Sequence, residues 1–249
     1  MPKGRGEFVM KRWGIRAVFL PLVLLAGCGR SKHAPAGPRF GALMAASADM
    51  GAAPELTTAA WDSIDTMSTH IRERHQRGDE KYEALFTVLF RVFHYERELI
   101  RDDPRFYTFT QVLKGRRGTS LGLSEVALVL AERLGLPLEG VVVPGHVYVR
   151  VPGAPHRNFE LLRRAESFPD AWYRTTYGPW TESGTGYGRG LSPLEIAGLA
   201  WFQVGEFHRK KGERIEAKRD YGKANQTFPD FIEIQAKLED MIQSTGSEP

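Results

Sequence analysis

A chain of 249 residues with 42% hydrophobic and 26% charged side chains has the composition of a globular protein and the length for one or two domains with a sizeable core. Its formal charge of +4 comes from its first stretch: residues 1–27 hold five of the 34 basic and one of the 30 acidic side chains, so the remainder carries 29 of each. That balance argues against nucleic acid as a partner, and a single cysteine excludes a disulfide framework.

The basic residues Lys3, Arg5, Lys11, Arg12 and Arg16 precede Ala17–Leu25, a short apolar run broken by Pro21. A charged segment before an apolar run too short to span a bilayer reads as a secretory signal over residues 1–27. Translation from Met10 would leave the same signal. The run ends Leu25-Ala26-Gly27-Cys28, which resembles the bacterial lipobox, and Cys28 is the one cysteine of the chain. The resemblance implies cleavage before Cys28, lipidation on it and a membrane partner through the acyl chains. Gly29 is not the aspartate that marks inner-membrane retention, so the expected location is the outer membrane, facing the periplasm of a Gram-negative cell.

Residues 28–55 are rich in Ala, Gly, Ser and Pro and are expected to form a flexible tether. Trp61, Ile64, Met67 and Ile71 then fall at helical spacing, and Tyr82, Leu85, Phe86, Leu89 and Phe93 predict a second amphipathic helix beyond Gly78. Asp102-Asp103-Pro104 makes a turn, and Phe106 to Leu113 a short helix. Gly118 breaks the chain, and either Thr119 or Ser120 can cap the helix whose stripe is Leu123, Ala127, Leu130 and Leu134. Gly135 and Pro137 stop it. Glu139 to Val143 is a β-branched run, the chain turns at Pro144-Gly145, and Val147, Val149 and Val151 alternate at strand period behind His146. A hydroxyl at a helix start and a histidine at the head of a strand are thereby set to converge.

This stretch resembles the SirB-type branch of the transglutaminase-like, papain-related core domains. The resemblance rests on Val112-Leu113, Arg117-Gly118, Ser120-Leu121, Arg133-Leu134-Gly135-Leu136, Gly140-Val141 and Pro144-Gly145-His146. It implies an α+β domain over residues 56–190, with a helical N-terminal flank and antiparallel strands. It also puts Ser120 where active members have a nucleophilic cysteine, His146 at the family histidine, and the third member on the strand near Asn158 and Glu160, with both left open. Serine in that place matters, because a helix N-terminus and an imidazole stabilise a thiolate, whereas a hydroxyl stays protonated and needs a positioned base and an oxyanion site.

Trp172 to Arg189 mixes aromatics with glycines and shows no period, so it reads as a long loop or lid. Ser192-Pro193-Leu194-Glu195 is a capping box with proline in the first turn. The chain beyond this cap resembles a tetratricopeptide repeat through Trp201, Gly205, Ala217, Tyr221, Ala224 and Pro229, with Val204 and His208 replacing the usual Leu and Tyr. A capping helix with Phe231, Ile234, Leu238 and Ile242 closes a helical region over residues 191–243, before a frayed tail at 244–249. One repeat cannot bury its own faces well, so it must dock on the preceding domain, on this last helix or on a partner, and a protein partner at this tail is expected.

The seven histidines lack metal-ligand spacing, and no phosphate-binding or dinucleotide fingerprint is present, so neither a metal nor a cofactor is expected. Two functions compete. One is a non-catalytic, lipid-anchored binding or scaffold protein. The other is a serine hydrolase or acyltransferase on peptide or cell-wall amides, with Ser120 as nucleophile, His146 as base and Asn158 or Glu160 orienting it.

Overall fold

The computed structural model describes residues 37–100, 102–154 and 157–243. The expected signal over 1–27, Cys28 and the tail expected to fray at 244–249 lie outside the described residues. The N-terminal flank is α1 (Pro38–Asp49), α2 (Glu55–Gln76) and α3 (Lys81–Thr87), which runs on into a π-helical turn at Val88–Val92. The site elements are β1 (Glu96–Arg97), α4 (Phe109–Gly115), β2 (Arg117–Gly118), α5 (Ser120–Leu134), β3 (Glu139–Val143), β4 (His146–Arg150) and β5 (Asn158–Phe159). The C-terminal part is α6 (Asp170–Tyr177), β6 (Gly190–Leu191), α7 (Pro193–Lys210), α8 (Arg214–Thr227) and α9 (Ile232–Gln243).

Four antiparallel strands form one sheet in the order β5-β4-β3-β6, and β1 pairs in parallel with β2. Val143 opposes His146 across the turn, which seats the histidine at the head of β4. Strand alternation puts Val142, Val147 and Val149 in the main core with α5, and Val141, Val143 and Tyr148 in a second cluster on the other face with Tyr173 of α6. β3 is therefore apolar on both sides, which is why its sequence is an unbroken valine run rather than an alternating one.

Helix α5 is buried nearly all round. A Cβ on Gly122 would stand 2.5 Å from the Phe106 carbonyl oxygen, so only glycine lets the first turn of α5 lie this close to the preceding segment.

The structure differs from the sequence reading in two places. The segment read as part of a flexible tether contains α1, whose Phe40, Leu43 and Ala46 are buried. Its exposed N-terminal amides are capped by the Glu132 carboxylate of α5, at 3.0 Å to Arg39 N and 3.2 Å to Phe40 N. That partner is 93 residues away, so local composition could not reveal it. Part of the aromatic run taken as loop is helical: α6 starts after Pro169 and ends at Gly178. The described residues from 37 onward form one compact unit, with α7 packed on α1 and touching α5.

Helices α7 and α8 form an antiparallel hairpin. Trp201, Ala217, Tyr221 and Ala224 are buried in it, and a Cβ on Gly205 would meet the Tyr221 ring at 2.7 Å. Pro229 sits in the turn before α9, where its carbonyl accepts from Gln235 Nε2 at 2.6 Å. The capping box at Ser192 and Glu195 forms in both directions.

A candidate serine–histidine–glutamate site

The helix start resolves the choice between the two hydroxyls. Thr119 is the N-cap, its Oγ1 accepting from Gly122 N at 3.5 Å, and Ser120 is the first helical residue. Ser120 is thereby released from capping. Its Oγ accepts from Val147 N at 3.4 Å, a long bond that ties the start of α5 to β4.

His146 is buried, and its Nε2 lies 2.7 Å from Glu160 Oε2, with both side chains 1% exposed. The other carboxylate oxygen of Glu160 accepts from Leu162 N at 3.0 Å. With Nε2 donating to the carboxylate, the neutral ring keeps its lone pair on Nδ1. Nδ1 is buried and without a hydrogen-bond partner among the described residues. The free nitrogen of an imidazole oriented by a carboxylate is the arrangement a general base needs.

Asn158 does not share this role. Its Nδ2 turns to the Phe168 carbonyl at 3.0 Å and to Asp170 Oδ1 at 2.6 Å, so it anchors the start of α6. Of the two residues left open by the sequence, Glu160 orients the histidine and Asn158 holds the helix that covers it. Strand spacing could not decide this, because the two side chains point the same way and only the turn between β4 and β5 sets the register.

Helix α6 supplies a cover from the stretch read as a loop or lid, and only its helical form was missed. The Tyr177 ring stacks on His146 with centroids 4.2 Å apart and planes at 4°. Tyr173 stacks on Tyr148 at 3.8 Å. Burial, and next the nearby Glu160 charge, push the Tyr173 phenol well above its ordinary value. Burial likewise pushes Tyr148 up to about 12. These phenols are neutral, so the His146–Glu160 pair is walled by uncharged rings. The i, i+4 spacing of Tyr173 and Tyr177 after Pro169 was a readable helical signal.

Ser120 and His146 line one cavity of about 50 Å³. Its far wall comes from the C-terminal helices: Leu199, Phe202 and Gln203 of α7, and Phe231 and Glu233 at the start of α9. Glu233 is tied to the Tyr187 hydroxyl, and Arg189 reaches Asp230 at 2.9 Å, so the glycine-rich loop and α9 hold each other over the opening. Among the described residues, no group of three His, Cys, Asp or Glu side chains could hold a metal ion.

Comparison with known proteins adds the family context. The sequence model of the family described as "Transglutaminase-like superfamily" matches residues 58–172. A UPF0162 protein of Pseudomonas aeruginosa is 34% identical over 119 residues, which cover 47% of this chain and 44% of that protein. A UPF0162 protein of Xylella fastidiosa is 44% identical over 50 residues, 20% of this chain and 18% of its own. The chain thus spans less than half the length of the curated relatives it matches. No solved structure matches it.

Proposed function

Taking the transglutaminase-like domain over residues 58–172 as the premise, we propose that this protein is a non-catalytic binding or scaffold protein. In this reading it is anchored in the bacterial envelope by lipid on Cys28, and its SirB-type core is fused to a tetratricopeptide-like tail that contacts a partner. The observation that carries it is the bonding of Ser120. The residue at the nucleophile position is a serine whose Oγ bonds the Val147 amide rather than the imidazole, inside a cavity of about 50 Å³ lined by α7 and α9.

A second reading is favoured by one specific feature, the orphan Nδ1 of His146, a residue that lines the same cavity as Ser120. If α9 and the glycine-rich loop open, Ser120 becomes a nucleophile with His146 as base and Glu160 as the orienting group. The substrates would be acyl compounds such as peptide or cell-wall amides.

A broad serine-directed phosphonate applied to the full-length protein in detergent, beside its Ser120→Ala variant, separates the two. The binding reading expects no labelling that depends on Ser120. Labelling that disappears in the variant would replace it with the hydrolase. For the anchor, cells fed a clickable palmitate analogue should label the wild type and not Cys28→Ser; equal labelling of both would remove lipid from the proposal.

A further inference from the structure

Beyond the Ser120 cavity, a groove of about 510 Å³ lies between β1 and the 3-10 turn Leu161–Arg163. Phe90 and Tyr95 form part of its lining, and Arg97, Arg163 and Arg164 border it. Arginine elsewhere is commonly paired with a carboxylate, as Arg74 is with Asp79 at 2.6 Å and Arg133 with Asp65 at 2.6 Å. Among the described residues these three have no such partner. Arg97 reaches only the Leu162 carbonyl, at 3.5 Å, and Arg163 lies over the Phe168 and Trp172 rings.

The backbone here is unusual as well. Arg164 has φ 55° and Ala165 φ 66°, left-handed conformations that glycine would adopt without strain. His94 and Arg116, the two other non-glycine residues with positive φ among those described, flank Tyr95 and Glu96 of the same groove, since Glu96 N donates to the Arg116 carbonyl. Two carboxylates, Glu96 and Glu166, also line it. Two and three residues beyond Arg97 in the chain, Leu99 and Ile100 are 67% and 57% exposed.

We propose that this groove docks an extended acidic peptide segment of a partner protein. The guanidinium groups would take its carboxylates, the two glutamates its backbone amides, and the exposed Leu99 and Ile100 its apolar side chains. Surplus positive charge in a concave aromatic setting favours an anion with a hydrophobic component. The mixed signs favour a peptide over a uniformly anionic lipid surface, which the glutamates would repel. The inference is independent of whether Ser120 reacts.

The test uses full-length protein in non-ionic detergent and a fluorescein-labelled octapeptide that alternates aspartate with leucine, read by anisotropy. Saturable binding that weakens as salt rises is expected, with no binding of the lysine–leucine analogue. Arg97→Ala and Arg164→Gly should each weaken it about tenfold. Arg164→Gly also relieves the left-handed strain, so its melting temperature should not fall and loss of binding cannot be blamed on unfolding. Arg72→Ala, exposed on α2, should bind as the wild type does. The proposal is overturned if the acidic peptide does not bind, if Arg164→Gly binds it equally, or if the lysine peptide binds as well. Vesicles of phosphatidylglycerol that bind through Arg164 and that the acidic peptide cannot displace would assign the groove to lipid and likewise overturn it.

Discussion

Two histidine–carboxylate pairs in this molecule look alike and are built for different ends. His146 meets Glu160 at 2.7 Å beside the sheet, and His208 meets Asp220 at 2.6 Å across the α7–α8 hairpin. In the first pair both side chains are sealed from water and one imidazole nitrogen has no partner among the described residues. In the second, His208 is 18% exposed, its Nε2 has Glu213 at 3.7 Å, and Asp220 also accepts from Arg219 at 2.7 Å. The hairpin pair is saturated with partners and acts as a clamp. The sheet pair keeps one nitrogen in reserve beside a cavity. A bonded histidine and carboxylate are therefore not a site by themselves; a nitrogen without a partner and a cavity shared with Ser120 make the sheet pair the candidate.

The largest effect should come from breaking the sealed pair. Glu160→Ala leaves His146 buried with neither nitrogen bonded, and a loss of about 3–5 kcal/mol is expected by urea denaturation. A loss under about 1 kcal/mol would mean that the pair is as forgiving as a surface contact.

Glu125 of α5 sharpens the contrast, as a buried carboxyl with neither oxygen hydrogen-bonded among the described residues. Burial raises its pKa well above the ordinary 4.5, so the folded state holds a proton that the unfolded state releases. The contribution of Glu125 to stability is full below that ordinary value and declines as pH rises toward the folded value. Glu125→Leu should flatten this decline and stabilise the protein at neutral pH by about 1–3 kcal/mol. Identical pH profiles for the two proteins would contradict the burial argument.

In the hairpin, Gly205→Ala forces a methyl against the Tyr221 ring, and a loss of about 1–3 kcal/mol in thermal unfolding is expected. His208→Ala should cost less, about 1 kcal/mol, because Arg219 still satisfies Asp220. If His208→Ala matched Glu160→Ala, the distinction between clamp and reserve would fail. Smallest of all, Ser120→Ala removes only the 3.4 Å contact to Val147 N, and the melting midpoint should shift by less than the equivalent of about 0.5 kcal/mol.

Much of this architecture was legible in local pattern. The α5 stripe, its stop at Gly135, the turn at Pro144-Gly145, the alternation behind His146 and the capping box at Ser192 each depend on residues a few positions apart. Local chemistry also narrowed the cap of α5 to two adjacent hydroxyls. Choosing Thr119 over Ser120 needed the strand that bonds the serine.

The sequence alone determined α5, β3, β4 and the start of α7, and which residue types stand at the three positions of the site, because periodicity, caps and turns act over one or two turns of chain. Only the tertiary structure decided that Glu160 rather than Asn158 faces His146, that Glu132 caps α1 from 93 residues away, and that α7 and α9 line the cavity. Those outcomes depend on register across a turn and on which buried face meets which. They are set by packing and by the need to pair every buried polar group, and no short window of sequence contains both partners.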